Sequence, residues 1–89
     1  MIKKISHKSV VDHGGEHQID RCIEEMSELI QALMKERRYH RESDIENVLS
    51  ELGDVIFTLH HVINAYDFTE IDIDSTLRRS VSRYEREQK

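Results

Sequence analysis

The 89-residue sequence has no proline, only three glycines and a single cysteine. Because residues that break helices are so scarce and 35% of the chain is charged, the composition favours helices over a sheet or a disordered tail. The one cysteine, Cys22, has no partner for a disulfide within the chain. A reducing cytoplasm is therefore the predicted setting.

Long hydrophobic runs are also missing. No apolar stretch approaches the roughly 20 residues that cross a bilayer, and the first residues lack the core of a signal peptide, so no membrane partner is expected. The formal net charge of −5 argues against nucleic acid as a bulk partner. The length allows a single domain, 1–89, which would bury only about 60% of its unfolded surface and be marginal as a monomer.

The sequence does contain an internal repeat. Residues 25–30, Glu-Met-Ser-Glu-Leu-Ile, match residues 51–56, Glu-Leu-Gly-Asp-Val-Ile, 26 positions later. The apolar residues of both copies follow the spacing of an amphipathic helix. In the first copy they are Ile19, Cys22, Ile23, Met26, Leu29, Ile30 and Leu33, and in the second they are Ile45, Val48, Leu49, Leu52, Val55, Ile56 and Leu59.

This pattern predicts two long helices joined by a short polar connection. The first should run from about Glu16 to Tyr39, after the Gly14-Gly15 pair, which is the strongest breaker in the sequence. The second should run from about Asp44 to Ala65. Ser43 is its predicted N-cap, because Glu46 stands three residues later in the spacing of a capping box.

A third helix is predicted from a Ser75 cap to about Gln88, and its apolar edge comprises Leu77, Val81 and Tyr84. A further turn or two of helix at 9–12 would make a fourth element. We expect 67–74 to be an extended linker whose apolar side chains, Phe68, Ile71 and Ile73, dock on the helices. The predicted fold class is all-α, an antiparallel bundle of three to four helices.

The second helix is apolar on more than one side. Phe57 points about 120° away from Glu51, outside the apolar stripe, and Ile63 and Tyr66 widen the apolar surface. A helix that is apolar on several sides must be covered on several sides. Since the chain is short, a second copy is the expected cover, and we predict that a homo-oligomer, a dimer or a tetramer, completes the bundle.

The repeat also carries two carboxylate pairs. Glu25 and Glu28 lie about 60° apart on one helix, as do Glu51 and Asp54 on the other, and a short connection makes the helices antiparallel neighbours. Carboxylates about 5 Å apart repel by roughly 3 kcal/mol at an effective dielectric constant of 20, and a hard divalent cation relieves this repulsion. A single pair of this kind is usually a solvated face, but two pairs in register favour a metal site.

The ligand types favour Mg²⁺, with Mn²⁺ as a substitute, because both ions prefer all-oxygen shells. Iron is disfavoured because helical di-iron sites use Glu-x-x-His motifs, which the sequence lacks. Zinc is disfavoured because its usual cysteine and histidine ligands are missing.

These residues resemble a known family. Glu24-Glu25-x-x-Glu28, followed after 22 intervening residues by Glu51-x-x-Asp54, is similar to the signature of the all-α NTP pyrophosphatases, the MazG-like group. The segments 13–18, 52–57 and 77–83 also resemble the glycine-and-glutamine entry, the second motif and the basic third helix of that family. The likeness covers about residues 13–84.

The resemblance implies Mg²⁺-dependent hydrolysis of a nucleoside triphosphate, an NTP or dNTP, between the α and β phosphates, giving a monophosphate and pyrophosphate. It implies four metal ligands: Glu25, Glu28, Glu51 and Asp54. Glu24 is the candidate that orients or deprotonates the attacking water. The competing interpretation of Glu24 is a solvated surface glutamate.

Three more residues are candidate substrate contacts. Arg79 and Arg83 lie one helical turn apart and could grip phosphate oxygens with permanently charged guanidinium groups, or they could form exposed pairs with Glu85 or Glu87. Arg78 is a less favoured phosphate contact. Gln18 either touches substrate or caps the Gly14-Gly15 turn.

Two residues are interpreted as structural. Cys22 is predicted to lie in the core, because no histidine is placed to activate it. His61 returns to the helix face of Asp54, but a histidine at such a position is more often a surface or interface residue than a part of a site.

Two other classes of function stay open at this level. The chain could be a helical assembly module that keeps the acidic frame without chemistry, or a regulatory protein that binds nucleotide without fast hydrolysis. The pattern specifies neither the base and sugar of a substrate nor the number of ions.

Overall fold

Residues 14–88 are described by a computed structural model, and they form three α-helices. Helix α1 spans Gly15–Tyr39, α2 spans Glu42–Ala65 and α3 spans Glu70–Glu87. No strand is present in the described part of the chain, so the all-α prediction is confirmed. The helical turn predicted at 9–12 lies outside the described residues. None of the three helices is long and apolar enough to cross a bilayer.

Helix α1 begins where the glycine pair predicts. Gly14 has φ +73°, a left-handed conformation that glycine adopts without steric cost, and Gly15 is already helical and buried. The helix ends at His40, which also takes a left-handed conformation and donates its backbone N–H to the Glu36 carbonyl at 2.8 Å. A left-handed residue at this position is the usual way to satisfy the last carbonyls of a helix.

The start of α2 differs from the predicted Ser43 and Glu46 cap. Arg41 is the N-cap residue, and its guanidinium donates two hydrogen bonds to the Asp44 carboxylate at 2.8 and 2.9 Å. The backbone N–H of Arg41 donates to the same carboxylate. These bonds from Arg41 hold the pKa of Asp44 below its usual value. The ion pair was missed because Arg41 is not a residue type that normally caps helices.

Helices α1 and α2 pack against each other as an antiparallel hairpin, the only extensive helix contact among the described residues. The buried apolar residues of this contact are Cys22, Ala32 and Val55, joined by Thr58. Thr58 donates its hydroxyl to the Asp54 and Val55 carbonyls at 3.0 Å, which satisfies it within its own helix. The prediction that Cys22 lies in the core is confirmed, and none of the four buried side chains is large.

The hairpin has two unlike sides. Successive residues of a helix are rotated by about 100°, and equal rotations away from the contact lead to the same side of two antiparallel helices. By this rule Glu24, Glu28 and Asp54 share one side of the hairpin, which is here called the acidic face. The opposite side, the apolar face, carries nine large apolar residues that are all exposed. They are Ile23, Met26, Ile30, Leu33, Ile45, Leu49, Leu52, Ile56 and Leu59.

Helix α3 begins earlier than predicted. Thr69 is its N-cap: the Thr69 N–H donates to the Asp72 carboxylate at 2.9 Å, and the Asp72 N–H donates to the Thr69 hydroxyl at 3.1 Å. The extended linker over 67–74 and the Ser75 cap were therefore wrong. Ile71 is 76% exposed rather than docked, because the helix starting at Glu70 turns it to solvent.

Helix α3 stands away from the hairpin and packs along neither of its helices. The radius of gyration is 16.2 Å, against about 12 Å for a compact domain of this length. The apolar edge of α3 is exposed as a result, and it comprises Leu77, Val81 and Tyr84. One chain therefore leaves most of its large apolar side chains uncovered.

Candidate metal centre

Three of the four predicted carboxylate ligands meet at the middle of the hairpin. Glu25 and Glu28 come from α1 and Glu51 from α2, and each offers a carboxylate oxygen within 4.8 Å of the others. These three residues are here called the carboxylate cluster. Glu25 and Glu51 are partly buried, whereas Glu28 is exposed, so the cluster opens towards the acidic face.

Two oxygens of the cluster are buried without a hydrogen-bond donor. Oε2 of Glu25 and Oε2 of Glu51 are shielded from solvent, and no described residue donates to them. A buried carboxylate oxygen without a partner is costly, and in native proteins such an atom usually marks a missing ion or water. The all-oxygen donor set suits a hard divalent cation such as Mg²⁺, so the residues present fit the implied metal.

Crowding shifts the protonation of two cluster carboxylates. Burial raises the pKa of Glu25, and the charges of Glu28 and Asp54 raise it further, while Arg21 opposes the shift. The hydrogen bond with Glu51, together with the charge of that carboxylate, raises the pKa of Glu28. Both carboxylates therefore bind a proton more readily than a free glutamate does.

Asp54, the fourth predicted ligand, lies beside the cluster. It is exposed and is not among the residues whose oxygens lie within 4.8 Å of one another. Its charge nevertheless reaches Glu25. Asp54 thus borders the opening of the cluster on the acidic face, where a carboxylate can meet an ion from the solvent side.

Glu24 and Gln18 flank the cluster on α1. Glu24 is exposed on the acidic face, and its charge contributes to raising the pKa of Glu28. Gln18 is half-buried two helical turns before Glu25, and it forms no hydrogen bond with the described residues, so it does not cap the glycine turn. Glu24 is not among the residues whose carboxylate oxygens form the cluster.

Arg21 was missed by the sequence analysis. It lies one turn before Glu25, and its positive charge is the one that lowers the pKa of that carboxylate. Residues four apart on a helix are neighbours, so the Arg21–Glu25 spacing was the available signal. Arg21 provides a permanent positive charge at the edge of the cluster.

The two predicted phosphate contacts are separate from the cluster. Arg79 and Arg83 are exposed on α3, and neither forms an ion pair with a carboxylate in the described part of the chain, including Glu85 and Glu87. By helical rotation they lie opposite the apolar edge of α3. Arg78, in contrast, donates to Asp74 at 2.8 Å. Within one chain, the structure does not bring Arg79 or Arg83 to the carboxylates.

His61 has an aromatic neighbour. Its ring lies 4.5 Å from the Phe57 ring, centroid to centroid, at an interplanar angle of 65°. His61 is half-buried, whereas Phe57 is exposed. The histidine therefore contacts a ring on its own helix and does not reach the carboxylate cluster as a ligand.

The comparison with known families agrees with this geometry. The family model described as the MazG nucleotide pyrophosphohydrolase domain matches residues 14–89, which include both helices that carry the carboxylates. No curated protein and no solved structure matches the chain. Since the family model spans well over half of the sequence, the chain belongs to the MazG nucleotide pyrophosphohydrolase domain family.

Proposed function

We propose that the protein is a Mg²⁺-dependent nucleoside triphosphate pyrophosphohydrolase that cleaves an NTP or dNTP between the α and β phosphates. The observation that carries this proposal is the pair of buried, unpartnered oxygens on Glu25 and Glu51. One oxygen on each of two carboxylates from different helices is buried without a hydrogen-bond donor among the described residues, and a cation is a partner that suits both oxygens. Family membership makes a triphosphate the substrate class that such an ion would serve.

The proposed ligands are Glu25, Glu28, Glu51 and Asp54, with the first three already close together and Asp54 at the opening. These carboxylates would hold Mg²⁺, or Mn²⁺ in its place, and the bound ion would neutralise charge on the phosphate oxygens and lower the pKa of a bound water. Glu24 lies on the same face and is the proposed group that orients the attacking water or accepts its proton.

Substrate contacts are proposed for Gln18, Arg79 and Arg83. Gln18 is half-buried near Glu25 with an unused amide, which suits a hydrogen bond to substrate. Arg79 and Arg83 have no partner carboxylate among residues 14–88, so their guanidinium groups are available to phosphate oxygens. Because α3 stands away from its own hairpin, these arginines serve a carboxylate cluster only within a homo-oligomer, which we propose to be a dimer or a tetramer.

The remaining features of the proposal follow from composition. We propose that residues 1–89 form one MazG-like domain, that it works in the cytoplasm and that its partners are a nucleotide and its own copies. The net charge of −5 disfavours nucleic acid, which would be repelled by the acidic face.

The direct test is pyrophosphate release from a panel of NTPs and dNTPs with and without Mg²⁺. We expect release that requires the metal, and we expect Glu51→Gln to reduce it to background while circular dichroism shows an unchanged helical fold. Glu46→Gln is the matched control, because Glu46 is an exposed glutamate on the same helix outside the cluster. Full activity of the Glu51 variant would show that the site is assigned wrongly.

A second candidate is favoured by the exposed apolar face. Nine large apolar side chains on one side of the hairpin also fit a non-catalytic assembly module or a nucleotide-binding regulator. Thermal melts separate the first of these from an enzyme, because a ligand that binds only the native state raises the midpoint. A melt indifferent to Mg²⁺ and nucleotide supports the assembly module, and a nucleotide-dependent rise without pyrophosphate release supports the regulator.

A further inference from the structure

One exposed aromatic ring, that of Phe57, does not lie on the apolar face. Phe57 is 57% exposed, yet it sits on the acidic face, opposite the nine side chains of the apolar face. The other large apolar residue exposed on this side of the described hairpin is Tyr39, at the connecting turn, where Arg41 stacks over its ring. Phe57 is therefore an exposed ring that is separate from the apolar face.

Phe57 continues the line of the metal site along α2. From Glu51 to Asp54 to Phe57 each step turns by about −60° and rises by about 4.5 Å. His61 then returns to within about 20° of Asp54. The ring lies one turn beyond Asp54 and two turns beyond Glu51, a span comparable to that of a ribose and a phosphate group.

The antiparallel register places Arg21 at the same end. Since Glu25 and Glu51 face each other, residues before Glu25 on α1 lie beside residues after Glu51 on α2. Arg21 and Phe57 therefore share the half of the hairpin that leads away from the connecting turn. The acidic face offers, in order along this half, carboxylates for an ion, a cation for phosphate oxygens and an aromatic ring.

The Phe57 ring is also held in place. The 4.5 Å, 65° contact with His61 is an edge-to-face arrangement of the kind that aromatic pairs prefer. Such a contact uses the edge of one ring and leaves a flat ring surface open to solvent, in agreement with the exposure of Phe57. A fixed, open ring face is the feature on which bases stack in nucleic-acid-binding proteins.

We propose that Phe57, braced by His61, stacks against the nucleobase of the triphosphate whose phosphates bind at the carboxylate cluster. This inference rests on the proposed function and adds the place where the nucleoside lies. Stacking tolerates every base because each base has a π-face, so Phe57 supplies affinity for a nucleoside rather than a choice of base. Phe57 is thus a substrate-positioning residue, and His61 acts through it.

The absence of tryptophan from the sequence gives a direct readout. In Phe57→Trp the only indole fluorophore stands at the proposed stacking position, so we expect saturable quenching by a nucleoside triphosphate with Mg²⁺. Tyr39→Trp is the matched control, because it exchanges an exposed aromatic ring about 20 Å farther along the hairpin, and its emission should not change. Inorganic tripolyphosphate would bind the same Mg²⁺ but has no base, so it should leave the emission of Phe57→Trp unquenched.

Binding measurements give the second readout. Phe57→Ala should weaken nucleoside triphosphate binding about 5- to 150-fold, the range for loss of one base stack, and leave tripolyphosphate binding unchanged. Phe57→Tyr should restore nucleotide affinity. His61→Ala should weaken nucleotide binding less than Phe57→Ala does, since the ring remains.

The possible results distinguish a failure of base stacking from a failure of the proposed pyrophosphohydrolase function. If tripolyphosphate binds with Mg²⁺ but nucleotide does not quench Phe57→Trp, the stacking proposal alone is overturned. An equal loss of tripolyphosphate and nucleotide binding in Phe57→Ala would show a structural role. Emission of Phe57→Trp that depends on protein concentration without nucleotide would make Phe57 a contact between copies. If wild-type protein binds neither ligand, both the function and the stacking fall together.

Discussion

The two carboxylates that α1 contributes, Glu25 and Glu28, are harder to ionise in the folded chain than a free glutamate is. Burial and neighbouring charge raise the pKa of Glu25, and the contact with Glu51 raises that of Glu28. The stabilising effect of a raised carboxyl pKa is present below the unfolded value of about 4.5 and is lost as pH rises through the folded value. The ion-free protein should therefore lose stability above about pH 4.5, where the carboxylates must share a confined space as anions.

We predict that Glu28→Gln raises the melting temperature of the ion-free protein at pH 8 and changes it little at pH 4.5. The amide cannot ionise, so it removes the repulsion that grows with pH. Wild-type protein should gain about 2.7 kcal/mol from Mg²⁺ at 100 times its dissociation constant, and the variant should gain much less. Melts at both pH values, with and without Mg²⁺, check this.

Glu46→Gln provides the comparison for that experiment, because it removes a carboxylate outside the cluster. A melting temperature of the Glu28 variant that falls at pH 8, as it would if ionised Glu28 stabilised the hairpin, contradicts the prediction. The caps at Asp44 and Asp72 do not interfere, since their lowered pKa values place the loss of their stabilisation below pH 3.8.

At the scale of single residues, the sequence was sufficient to predict that carboxylates from two helices lie together and insufficient for their surroundings. The repeat identified Glu25, Glu28 and Glu51 because one helical period fixes which side chains share a face. Arg21 was not considered, although its spacing from Glu25 on the same helix was visible, and Phe57 was interpreted as part of an apolar surface that a second copy would cover. Asp54 followed from the repeat, but its place at the edge rather than inside the cluster did not.

The helix boundaries show how local chemistry competes with pattern. Alternation of Ile71 and Ile73 with acidic residues resembled an extended segment, whereas Thr69 and Asp72 form a reciprocal cap in the described structure. The same Thr-x-x-Asp spacing was visible in the sequence but was outweighed by Ser75. At the other end of the hairpin, the Arg41–Asp44 ion pair replaced a predicted Ser43 cap.

We predict that Asp72→Ala destabilises α3 by about 1 kcal/mol, the usual cost of removing a capping group. The hydrogen bond from the Thr69 backbone lowers the pKa of Asp72, so its contribution is present above pH 3.8 and is lost as pH falls. Helicity measured by circular dichroism against temperature at pH 7 checks the effect.

Asp74→Ala is the matched control for α3. Asp74 is an exposed carboxylate two residues along the same helix, paired with Arg78, and exposed pairs of this spacing contribute about 0.3 to 0.5 kcal/mol. Equal losses in the two variants would argue that the Thr69–Asp72 cap contributes nothing beyond charge.

At the scale of the whole molecule, an extended shape and an uncovered apolar face point to association. A radius of gyration of 16.2 Å and nine exposed apolar side chains on one face leave a single chain with little core. The all-α class and the helix order were predictable from composition and period. The orientation of α3 was not, because it depends on contacts between elements and between copies.

We predict that the protein sediments as a homo-oligomer at micromolar concentration and that Leu49→Glu shifts it towards the monomer. Leu49 is 71% exposed on the apolar face, so a buried charge there would oppose contact between copies. Analytical ultracentrifugation over a dilution series measures the shift.

Tyr39→Glu is the control for association. Tyr39 is also exposed, at 52%, but it lies on the acidic side of the hairpin at the connecting turn, outside the apolar face. A monomeric wild type, or an equal effect of the two substitutions, would show that the apolar face does not hold copies together.

The division of the hairpin into two unlike sides has an evolutionary consequence. Substitutions on the apolar face can change how copies would associate while the proposed ion ligands on the acidic side stay as they are. Lineages can thus diversify their architecture and their chemistry along nearly independent routes. Only the narrow seam of Cys22, Ala32, Val55 and Thr58, which both sides share, is constrained by both demands.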